Sequence, residues 1–284
     1  MENVSSVTMK LPGSGNKMLK VLLICIIGLF LIYSFYIEPN RLTVTHITIK
    51  FENLNENLNG LTVLHLSDLH LNKIGKKEKK LLETVNQLNP DILVITGDFV
   101  NKREMVDDCI QMINKFKAKY GKWGVWGNND HCILNQKDKK KLAESEIVIL
   151  GNENQSIAIN QQNMWIIGVD DPVGGHDNLS RAMGGVPEEG FKLLLSHSPA
   201  IIEEAHRAGI ELVLAGHTHG GQVYIPLISH LIVRLLRGKG YIAGLYSVGQ
   251  TYLYVSRGIG TSILPLRAFC PPEITLIKLE KEKT

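Results

Sequence analysis

The first clear pattern in the chain is an unbroken apolar run from Val21 to Ile37, VLLICIIGLFLIYSFYI. At about 1.5 Å per residue, a helix of this length reaches roughly 26 Å, close to the roughly 30 Å of a bilayer core, and Lys20 can extend that reach. Because no polar face interrupts the run and aromatic residues gather at its end, a membrane anchor is favoured over a buried soluble helix. A cleaved signal peptide is disfavoured because no small-x-small site follows. The pattern predicts a tail over residues 1–17 and an anchor over residues 18–37.

Beyond the anchor, short apolar runs alternate with stretches of helical spacing. The alternation TVTHITIKF within Arg41–Phe51 predicts a strand. Further strands are predicted at Leu61–Leu66, Asp91–Thr96, Gly124–Trp126, Ile147–Leu150, Ser156–Ile159, Met164–Val169, Phe191–Leu195, Leu212–Ala215, Tyr246–Ser256 and Ile274–Leu279, and helices at Glu78–Leu88, Met105–Phe116 and Ala200–Ala208. Since the central runs are apolar on both faces, the pattern indicates an α/β fold whose sheets are covered on each side. No repeat or linker divides residues 41–284, so we expect one domain there.

The composition is that of a folded and nearly neutral chain. Of 284 residues, 31 are Lys or Arg, 28 are Asp or Glu and 44% are hydrophobic, which excludes a disordered or fibrous protein. Residues 1–37 hold three Lys and one Glu, so without them the formal charge falls from +3 to +1. That balance excludes a strong positive electrostatic field of the kind that attracts nucleic acids. No nucleic acid polymer is therefore expected as a partner.

The flanks of the anchor and the cysteines bear on the compartment. Lys10, Lys17 and Lys20 precede the anchor, and this bias predicts a cytoplasmic N-terminus and an extracytoplasmic domain in a single-pass protein of the cell membrane. The three cysteines outside the anchor are an odd set without CxxC spacing. Neither a disulfide framework nor a thiolate metal site is therefore indicated.

Polar residues of one chemical kind follow five of the predicted strands. The segments are Ser67-Asp68-Leu69-His70, Gly97-Asp98, Gly127-Asn128-Asn129-Asp130-His131, Ser196-His197 and Gly216-His217-Thr218-His219. Each alone is weak, since Asp68 and His70 could be a helix cap and a surface histidine. Burying such groups at five core strand ends costs several kcal/mol unless they are paired or coordinated. The combination favours one metal centre of oxygen and imidazole ligands, of the kind that holds Mn, Fe or Zn in two-metal hydrolases.

In this order, the blocks resemble the signature of the calcineurin-like metallophosphoesterase superfamily, D-x-H, G-D, G-N-H-[DE], H and G-H-x-H. The resemblance covers residues 60–279. The segments GVDDP at 168–172, HGGQ at 219–222 and SRGIGTSILP at 256–265 resemble its bacterial membrane-associated branch. The resemblance implies a four-layer αββα sandwich, preceded here by the transmembrane helix, and two divalent metal ions.

The resemblance also implies which residues hold these metals. The implied ligands are Asp68, His70, Asp98 and His219 for one ion and Asp98, Asn128, His197 and His217 for the other, with Asp98 as the bridge. A water between the ions would lose a proton near neutral pH and attack phosphorus in line, while the ions stabilise charge on the phosphoryl and leaving oxygens. The same ligand set accepts Mn, Fe or Zn, so the identity of the metals is left open.

One position departs from the family pattern. Asn129 stands where the family has a histidine able to protonate the leaving group. General acid catalysis is worth about 10²–10⁴-fold, so its absence matters most for alkoxide leaving groups. His131 is a candidate to replace that histidine, and a cap-like or supporting role for His131 is equally open. The alternative is that the leaving group is already acidic, as is a phosphate released from a pyrophosphate bond.

Residues at the rim are candidates for substrate binding. By resemblance, the loop with Asp170 and His176 borders the site, where the two side chains could contact substrate or orient a ligand histidine. A plain Asx turn ahead of Pro172 is the alternative. Arg257 or Arg267 could hold a phosphate, although ion pairing at the surface is the commoner role of an arginine.

Lysine runs and one apolar-basic segment bear on membrane contact. Lysines cluster at 73–80, 115–122 and 137–141, where solvated helix faces are the simpler interpretation and anionic lipid is the alternative. Residues 225–238, IPLISHLIVRLLRG, have a composition suited either to a membrane interface or to an amphipathic helix on the core.

These observations predict a membrane-anchored, two-metal phosphoesterase with its catalytic domain at residues 41–284. It is expected to hydrolyse a phosphodiester or pyrophosphate bond, with lipid-linked or nucleotide-sugar-lipid molecules as one expected substrate class. The main alternative is a broad-specificity phosphodiesterase or phosphatase acting on soluble or cell-wall substrates. A non-catalytic membrane scaffold is a third, favoured only by the missing histidine at position 129. The sequence leaves the oligomeric state open.

Overall fold

The computed structural model describes residues 15–224, 240–262 and 264–282. Most of the predicted tail lies outside these residues. So does the apolar-basic segment 225–238, whose two interpretations therefore stay predictions.

The predicted anchor is helical. Helix α1, Gly15–Ile32, continues through a π-helical turn at Tyr33–Ile37 and a 3₁₀ turn at Glu38–Asn40. Most side chains of α1 are exposed, and Ile24 is 68% exposed. Within the described residues, this is the one helix long and apolar enough to cross a membrane.

The remaining elements form two six-stranded sheets with helices between their strands. The strands are β1 Thr43–Phe51, β2 Thr62–Leu66, β3 Ile92–Thr96, β4 Gly121–Val125, β5 Val148–Ile149, β6 Glu153–Ile159, β7 Gln162–Gly168, β8 Phe191–Leu195, β9 Leu212–Ala215, β10 Gly244–Val248, β11 Thr251–Val255 and β12 Glu273–Lys281. The helices are α2 Lys76–Leu88, α3 Val106–Lys115, α4 Asn128–Ile133, α5 Gln136–Ala143, α6 Leu179–Ala182 and α7 Ile202–Arg207.

The first sheet has the order β1-β12-β2-β3-β4-β5 and the second the order β10-β11-β9-β8-β7-β6. Strands β2 to β5 run parallel to one another, as do β7, β8, β9 and β11. The antiparallel pairs are β12 with β2, β6 with β7, and β10 with β11. The carboxyl ends of the parallel strands of each sheet therefore lie on the same side of that sheet, which we call the shared edge. Open α/β sheets bind ligands at this position.

The core explains why the central strands read as continuous apolar runs. The two sheets pack face to face through side chains such as Val94 of β3 and Leu193 of β8. Outward-facing residues of the first sheet pack on α2 and α3, and those of the second pack on α7. Each central strand is thus buried on both faces, and the layers follow the predicted order of helix, sheet, sheet and helix.

The structure corrects one predicted strand and one interpretation of the lysine runs. The predicted strand Tyr246–Ser256 is a hairpin of β10 and β11 that turns at Gly249 and Gln250, because its alternation continues through the turn. The solvated-face interpretation of the lysine runs fails at Lys122, which is buried on β4. Its Nζ donates hydrogen bonds to the Ile113 carbonyl at 3.0 Å and to Glu146 at 2.8 Å.

Candidate metal centre

The seven implied ligands all follow strands that end at the shared edge. The first sheet places Asp68 and His70 after β2, Asp98 after β3 and Asn128 at the start of α4, and the second places His197 after β8 and His217 and His219 after β9. Because the two sheets pack face to face, these strand ends lie close together. Neither sheet could supply the full set alone.

Two groups of buried side chains converge closely enough to hold a metal ion. Asp68, His70 and His219 form one, and Asp68, Asp98 and His197 form the other, with ligand atoms within 4.8 Å of one another in each. The Oδ2 atom of Asp98 lies 3.3 Å from His70 Nε2 and 3.5 Å from His197 Nε2. This oxygen therefore lies between the histidines implied for the two ions, as a bridging carboxylate would.

The other two implied ligands adjoin His197. Its Nε2 atom lies 3.0 Å from the side-chain oxygen of Asn128 and 3.2 Å from Nδ1 of His217. The structure thus brings all seven predicted side chains into one connected cluster.

Each carboxylate has one oxygen fixed and one left to face the imidazoles. The Ser67 hydroxyl and the His217 amide donate to Asp68 Oδ2 at 2.6 and 3.0 Å, and the Asn129 amide donates to Asp98 Oδ1 at 2.9 Å. The other oxygen of Asp68 is buried, lies 3.4 Å from His219 Nε2 and has no hydrogen bond among the described residues. A buried oxygen without a donor is costly unless a cation meets it, so the donor set fits a metal.

The imidazoles are oriented in the same way. His197 donates from Nδ1 to the Thr96 carbonyl at 2.8 Å, and His70 donates from Nδ1 to the side-chain oxygen of Asn101 at 2.5 Å. These bonds set the tautomers that leave both Nε2 lone pairs facing the centre. Nε2 of His70 also lies 3.2 Å from Nε2 of His219, an approach that needs a shared proton or cation.

Burial and mutual charge shift the pKa values in this cluster. Burial disfavours charge on Asp98, but His197 and His70 outweigh it and lower the Asp98 pKa to about 2. Burial likewise opposes charge on His70 and His197, yet Asp98 raises the pKa of both. The pKa of His219 is well below its ordinary value because of burial and the charge of His70. Metal ligands must be deprotonated, so a cation and a proton would compete for the Nε2 atoms of His70 and His197.

The backbone at the ligands is held in an uncommon conformation. Positive φ angles outside glycine occur at Asp68 (50°), His70 (43°), Asp98 (56°), His217 (70°) and His219 (53°). Such residues cost about 1–3 kcal/mol each and persist only where the surroundings over-determine them. Five of the eleven described non-glycine residues with positive φ therefore carry candidate ligand atoms.

Asp130, to which the sequence assigned no role, helps to impose the positive φ angle of Asp98. Its carboxylate is fully buried and accepts the amides of Asp98, Phe99 and Gly127 at 2.8–2.9 Å. It thereby joins the loop after β3 to the loop after β4. Burial, with the nearby charge of Asp98, raises the Asp130 pKa to about 7.

The loop after β11 packs directly against the loop that carries Asp68 and His70. An added Cβ at Gly258 would lie 2.8 Å from Asp68 Cβ, and one at Gly260 would lie 2.5 Å from His70 Cβ. Gly258 also has a φ of +69°. Only glycine allows this approach without displacing the candidate ligands.

Arg267 fixes the loop after β11 through hydrogen bonds to its carbonyl groups. The expectation that Arg267 forms a surface ion pair is wrong. The side chain is fully buried, and its guanidinium donates to the carbonyls of Arg257 at 2.8 Å, Cys270 at 3.1 Å and Gly260. Its own amide donates to the carbonyl of Ser34, at the end of the apolar run, at 2.9 Å. Burial lowers the Arg267 pKa. Arg267 thus links the apolar helix to the loop after β11 that contains Gly258 and Gly260, which we call the glycine loop. No sequence pattern indicated this role.

Asn129 points into the protein. Its side-chain amide donates to the Val100 carbonyl at 2.9 Å and to Asn101 Oδ1 at 3.2 Å. Asn101 is the residue that orients His70, and sequence reasoning missed it because only its position after β3 marks it. Asn129 therefore supports the orientation of His70 through Asn101.

His131, Lys139, Asp170 and His176 meet in what we call the rim cluster. Nζ of Lys139 donates to His131 Nδ1 at 2.8 Å, and His131 donates from Nε2 to Asp170 at 2.6 Å. The ring of His176 stacks on that of His131 at 4.5 Å. Asp170 therefore orients His131 rather than one of the implied ligand histidines, and Lys139 was missed because it lies in a lysine run. His131 is three residues from Asn128 on α4, so the two adjoin on one helix face.

Asp171 and Arg257 both have partners within the chain. Asp171 accepts the amides of Val173 and Gly174 at 2.9 and 2.8 Å, which is the Asx turn expected near Pro172. Arg257 forms an ion pair with Glu273 at 2.9 Å, but Glu273 is buried, so this pair is not the surface pair that was expected. Contact of Asp170, His176 or Arg257 with substrate stays a prediction.

The chain is similar to known metallophosphoesterases over most of its length. The family model described as calcineurin-like phosphoesterase matches residues 61–221. An uncharacterized metallophosphoesterase of Bacillus subtilis, YkuE, is 30% identical over 255 residues, which are 87% of this chain and 89% of the relative. A Danio rerio transmembrane protein with metallophosphoesterase domain is 30% identical over 288 residues, which are 95% of this chain and 64% of the relative.

Among solved structures, the phosphopantetheinyl hydrolase of Mycobacterium tuberculosis is similar with a TM-score of 0.45 and 10% identity, over 74% of this chain and 96% of that one. The match of the family model spans more than half of the chain and contains the strand ends described above. The chain belongs to the calcineurin-like phosphoesterase family and is a metal-dependent phosphoester hydrolase.

Proposed function

We propose that the protein hydrolyses phosphodiester or pyrophosphate bonds at a two-metal centre and prefers leaving groups that need no proton. The observation that carries this preference is the state of the two candidate acids. The amide of Asn129 is engaged by Val100 and Asn101, and both ring nitrogens of His131 are engaged by Lys139 and Asp170. Neither side chain has a proton free for a leaving oxygen.

The ligand roles in this proposal follow the geometry. Asp68, His70 and His219 would hold one ion, Asn128, His197 and His217 the other, and Asp98 would contact both. When bound, the two cations supply an activated water and neutralise charge on the phosphoryl group. The protein fixes the ligands beforehand: Ser67 orients Asp68, Thr96 orients His197, and Asn101 orients His70.

Without a general acid, the rate should depend steeply on the basicity of the leaving group. A phosphate leaving a pyrophosphate bond, or a nitrophenolate, departs without protonation, whereas an alkoxide does not. The second candidate function, a broad phosphodiesterase or phosphatase on soluble or cell-wall substrates, needs a proton donor for alkyl esters. The engaged nitrogens of His131 therefore favour the first function.

The test is a series of phosphodiesters whose leaving groups differ in pKa, hydrolysed by the full chain in detergent after loading with Mn²⁺. We expect fast turnover of bis-p-nitrophenyl phosphate and a fall in kcat with each rise in leaving-group pKa. Equal turnover of an alkyl diester would contradict the absence of an acid. Protein that binds no metal and hydrolyses none of the series would instead support the non-catalytic scaffold.

We further propose that α1 anchors the protein in the cell membrane with the catalytic domain outside the cytoplasm. Support comes from the exposed apolar helix, the lysine bias and relatives named as transmembrane proteins. The cysteines allow a direct test in a Cys25→Ser background. Cys132 is exposed on α4, Cys109 and Cys270 are buried, and the other exposed cysteine, Cys25, lies in the apolar helix.

A membrane-impermeant maleimide should label Cys132 in intact cells. Labelling only after permeabilisation would place the domain in the cytoplasm and contradict the proposal. The Cys132→Ser variant is the control, since it should remain unlabelled in both conditions.

The finer proposal is that the substrate is itself lipid-linked. Its support is the tether, which keeps the centre at the surface where such molecules reside. A screen of nucleotide-diphospho-lipids, simple diesters and monoesters with the metal-loaded protein would test it. A preference for water-soluble esters would contradict it.

A further inference from the structure

A cavity of about 410 Å³ lies beside the metal centre, at the side of the domain where the apolar helix joins it. Its size falls within the range of small-molecule sites. Apolar side chains make up much of its wall, among them Ile47 of β1, Ile242 and Phe269. None of the predicted ligands or rim residues apart from Arg257 lines it.

One end of the cavity borders the metal centre. Gly220, which lines it, directly follows the candidate ligand His219. Arg257, which also lines it, directly precedes Gly258, the residue packed against Asp68. A molecule in the cavity would therefore contact the residues next in sequence to His219 and to the glycine that packs against Asp68.

The other end borders the apolar helix. The ring of Phe269 lies 6.3 Å from that of Phe30 and 5.7 Å from that of Tyr33, both in the apolar run. Phe269 is 61% exposed and has a φ of +54°, a costly conformation for an aromatic residue. If Phe30 lies at the membrane, Phe269 must lie at the same depth, so the cavity adjoins the bilayer surface.

The polar wall of the cavity is satisfied internally. Glu273 accepts hydrogen bonds from Thr45 at 2.5 Å and Tyr254 at 3.1 Å and pairs with Arg257 at 2.9 Å. The charges of Arg257 and Glu273 therefore compensate each other. That arrangement leaves little to attract a phosphate and suits an uncharged, apolar occupant.

We propose that this cavity binds a hydrocarbon chain of a membrane-lipid substrate while the phosphoester of the same molecule occupies the metal centre. The inference rests on the proposed lipid-linked function and assigns the part of the protein that recognises the lipid. A chain drawn from the bilayer past Phe269 would exchange one apolar environment for another, so its transfer would carry little desolvation cost.

The test compares two probes that share one pyrophosphate bond, CDP-diacylglycerol and CDP-glycerol, using the full chain in lipid nanodiscs. For the wild type we expect kcat/KM to be at least about tenfold higher for the probe with chains, since burial of apolar groups in a pocket discriminates by this order. Ile47→Trp should fill the cavity and bring the ratio close to one while turnover of bis-p-nitrophenyl phosphate is unchanged. The matched control is Thr48→Trp, because the neighbouring side chain of β1 is exposed on the opposite face.

An unchanged ratio in Ile47→Trp would overturn the inference. So would a wild type that hydrolyses bis-p-nitrophenyl phosphate but shows no preference for the diacyl probe, a result that leaves two-metal hydrolysis intact. Loss of bis-p-nitrophenyl phosphate turnover in the wild type would mean that the proposed function itself has failed.

A second measurement does not depend on activity. A photoreactive benzophenone side chain placed at Phe269 should capture phospholipid in the nanodisc, and Ile47→Trp should reduce that capture. Capture of residues 225–239 of the same chain, or of a second copy, in place of lipid would overturn the inference.

Discussion

The metal centre and the rim cluster use similar residues, yet their side chains are held in different ways. In the centre, Asp68 and His197 are fully buried, and main-chain groups fix Asp98 and His197. In the rim cluster, His131 and Asp170 are 22% and 21% exposed, and Lys139 from a neighbouring helix completes the contact. A side chain fixed by the backbone in a dry site cannot adjust to a change, whereas one held by other side chains near water can. Substitutions should therefore have far larger effects in the centre than at the rim.

The largest effect is expected for Asp98→Asn. The amide keeps the size of the side chain but lacks the charge and places a donor near His70 and His197, so one or both metals should be lost. Removing even an outer partner of a ligand typically costs about 10–100-fold, and we expect roughly 10³-fold or more in kcat/KM here. Metal content per chain and turnover of bis-p-nitrophenyl phosphate measure it.

Asp107→Asn is the control for this variant, because Asp107 is an exposed carboxylate paired with Lys141 on the outer helices. Full metal content in Asp98→Asn would contradict the bridging role.

A smaller but still large effect is expected for Asp130→Asn. An amide nitrogen would face backbone N–H groups that the carboxylate now accepts, at a cost of about 1–3 kcal/mol. The two loops should separate and metal affinity should fall by about 10–100-fold. Asp138→Asn is the matched control, since Asp138 accepts the Asn135 amide and pairs with Arg103 away from the centre. Equal metal affinity in the two variants, measured by competition with a chelator, would argue against the role of Asp130.

Burial beneath the centre should also make the protein sensitive to acid. His65 on β2 is fully buried with Nε2 2.8 Å from the Thr96 hydroxyl, and burial lowers its pKa from 6.5 to about 3. Below pH 6.5, His65 binds a proton in the unfolded chain but stays neutral in the folded chain until the pH nears 3. Stability should therefore fall with pH, by roughly 1.4 kcal/mol per unit between about 6.5 and 3, or about 2 kcal/mol at pH 5.

Urea unfolding at pH 7 and pH 5 would measure this loss in the wild type and in His65→Gln. The variant should lose less stability on acidification, because it has no imidazole to protonate. Parallel losses in both proteins would show that other groups cause the acid sensitivity.

The smallest effect is expected at the rim. If His131 is no general acid, His131→Ala should change kcat for bis-p-nitrophenyl phosphate by less than about tenfold, far from the roughly 10²–10⁴-fold of a lost acid. For an alkyl diester the wild type and the variant should be equally slow. A selective loss on the alkyl diester would restore His131 as the acid.

The sequence was sufficient for the layers of the fold and for the cluster of candidate ligands. Asp98 and His197 could be found because each is the second residue after an apolar run, and parallel strands of a sheet end on the same side. Asn101, Lys139 and Arg267 could not, because their partners lie on other loops or helices, some near and some far along the chain, and their own neighbours carry no pattern. Their positions depend on how loops pass each other, which spacing along the chain does not encode. The hairpin at Gly249 was missed for a related reason, since both of its strands share one alternation.

The hydrogen bond from the Arg267 amide to the Ser34 carbonyl has a practical consequence for anyone who wants this enzyme without its apolar helix. The last turn of the hydrophobic helix is part of the catalytic unit, as is the buried Glu38 that pairs with Arg41 just beyond it. A fragment that begins at residue 41 would therefore start too late, and its glycine loop would lose a fixed point. A shortened version should retain the chain from Tyr33 onward and replace only the exposed apolar turns before it.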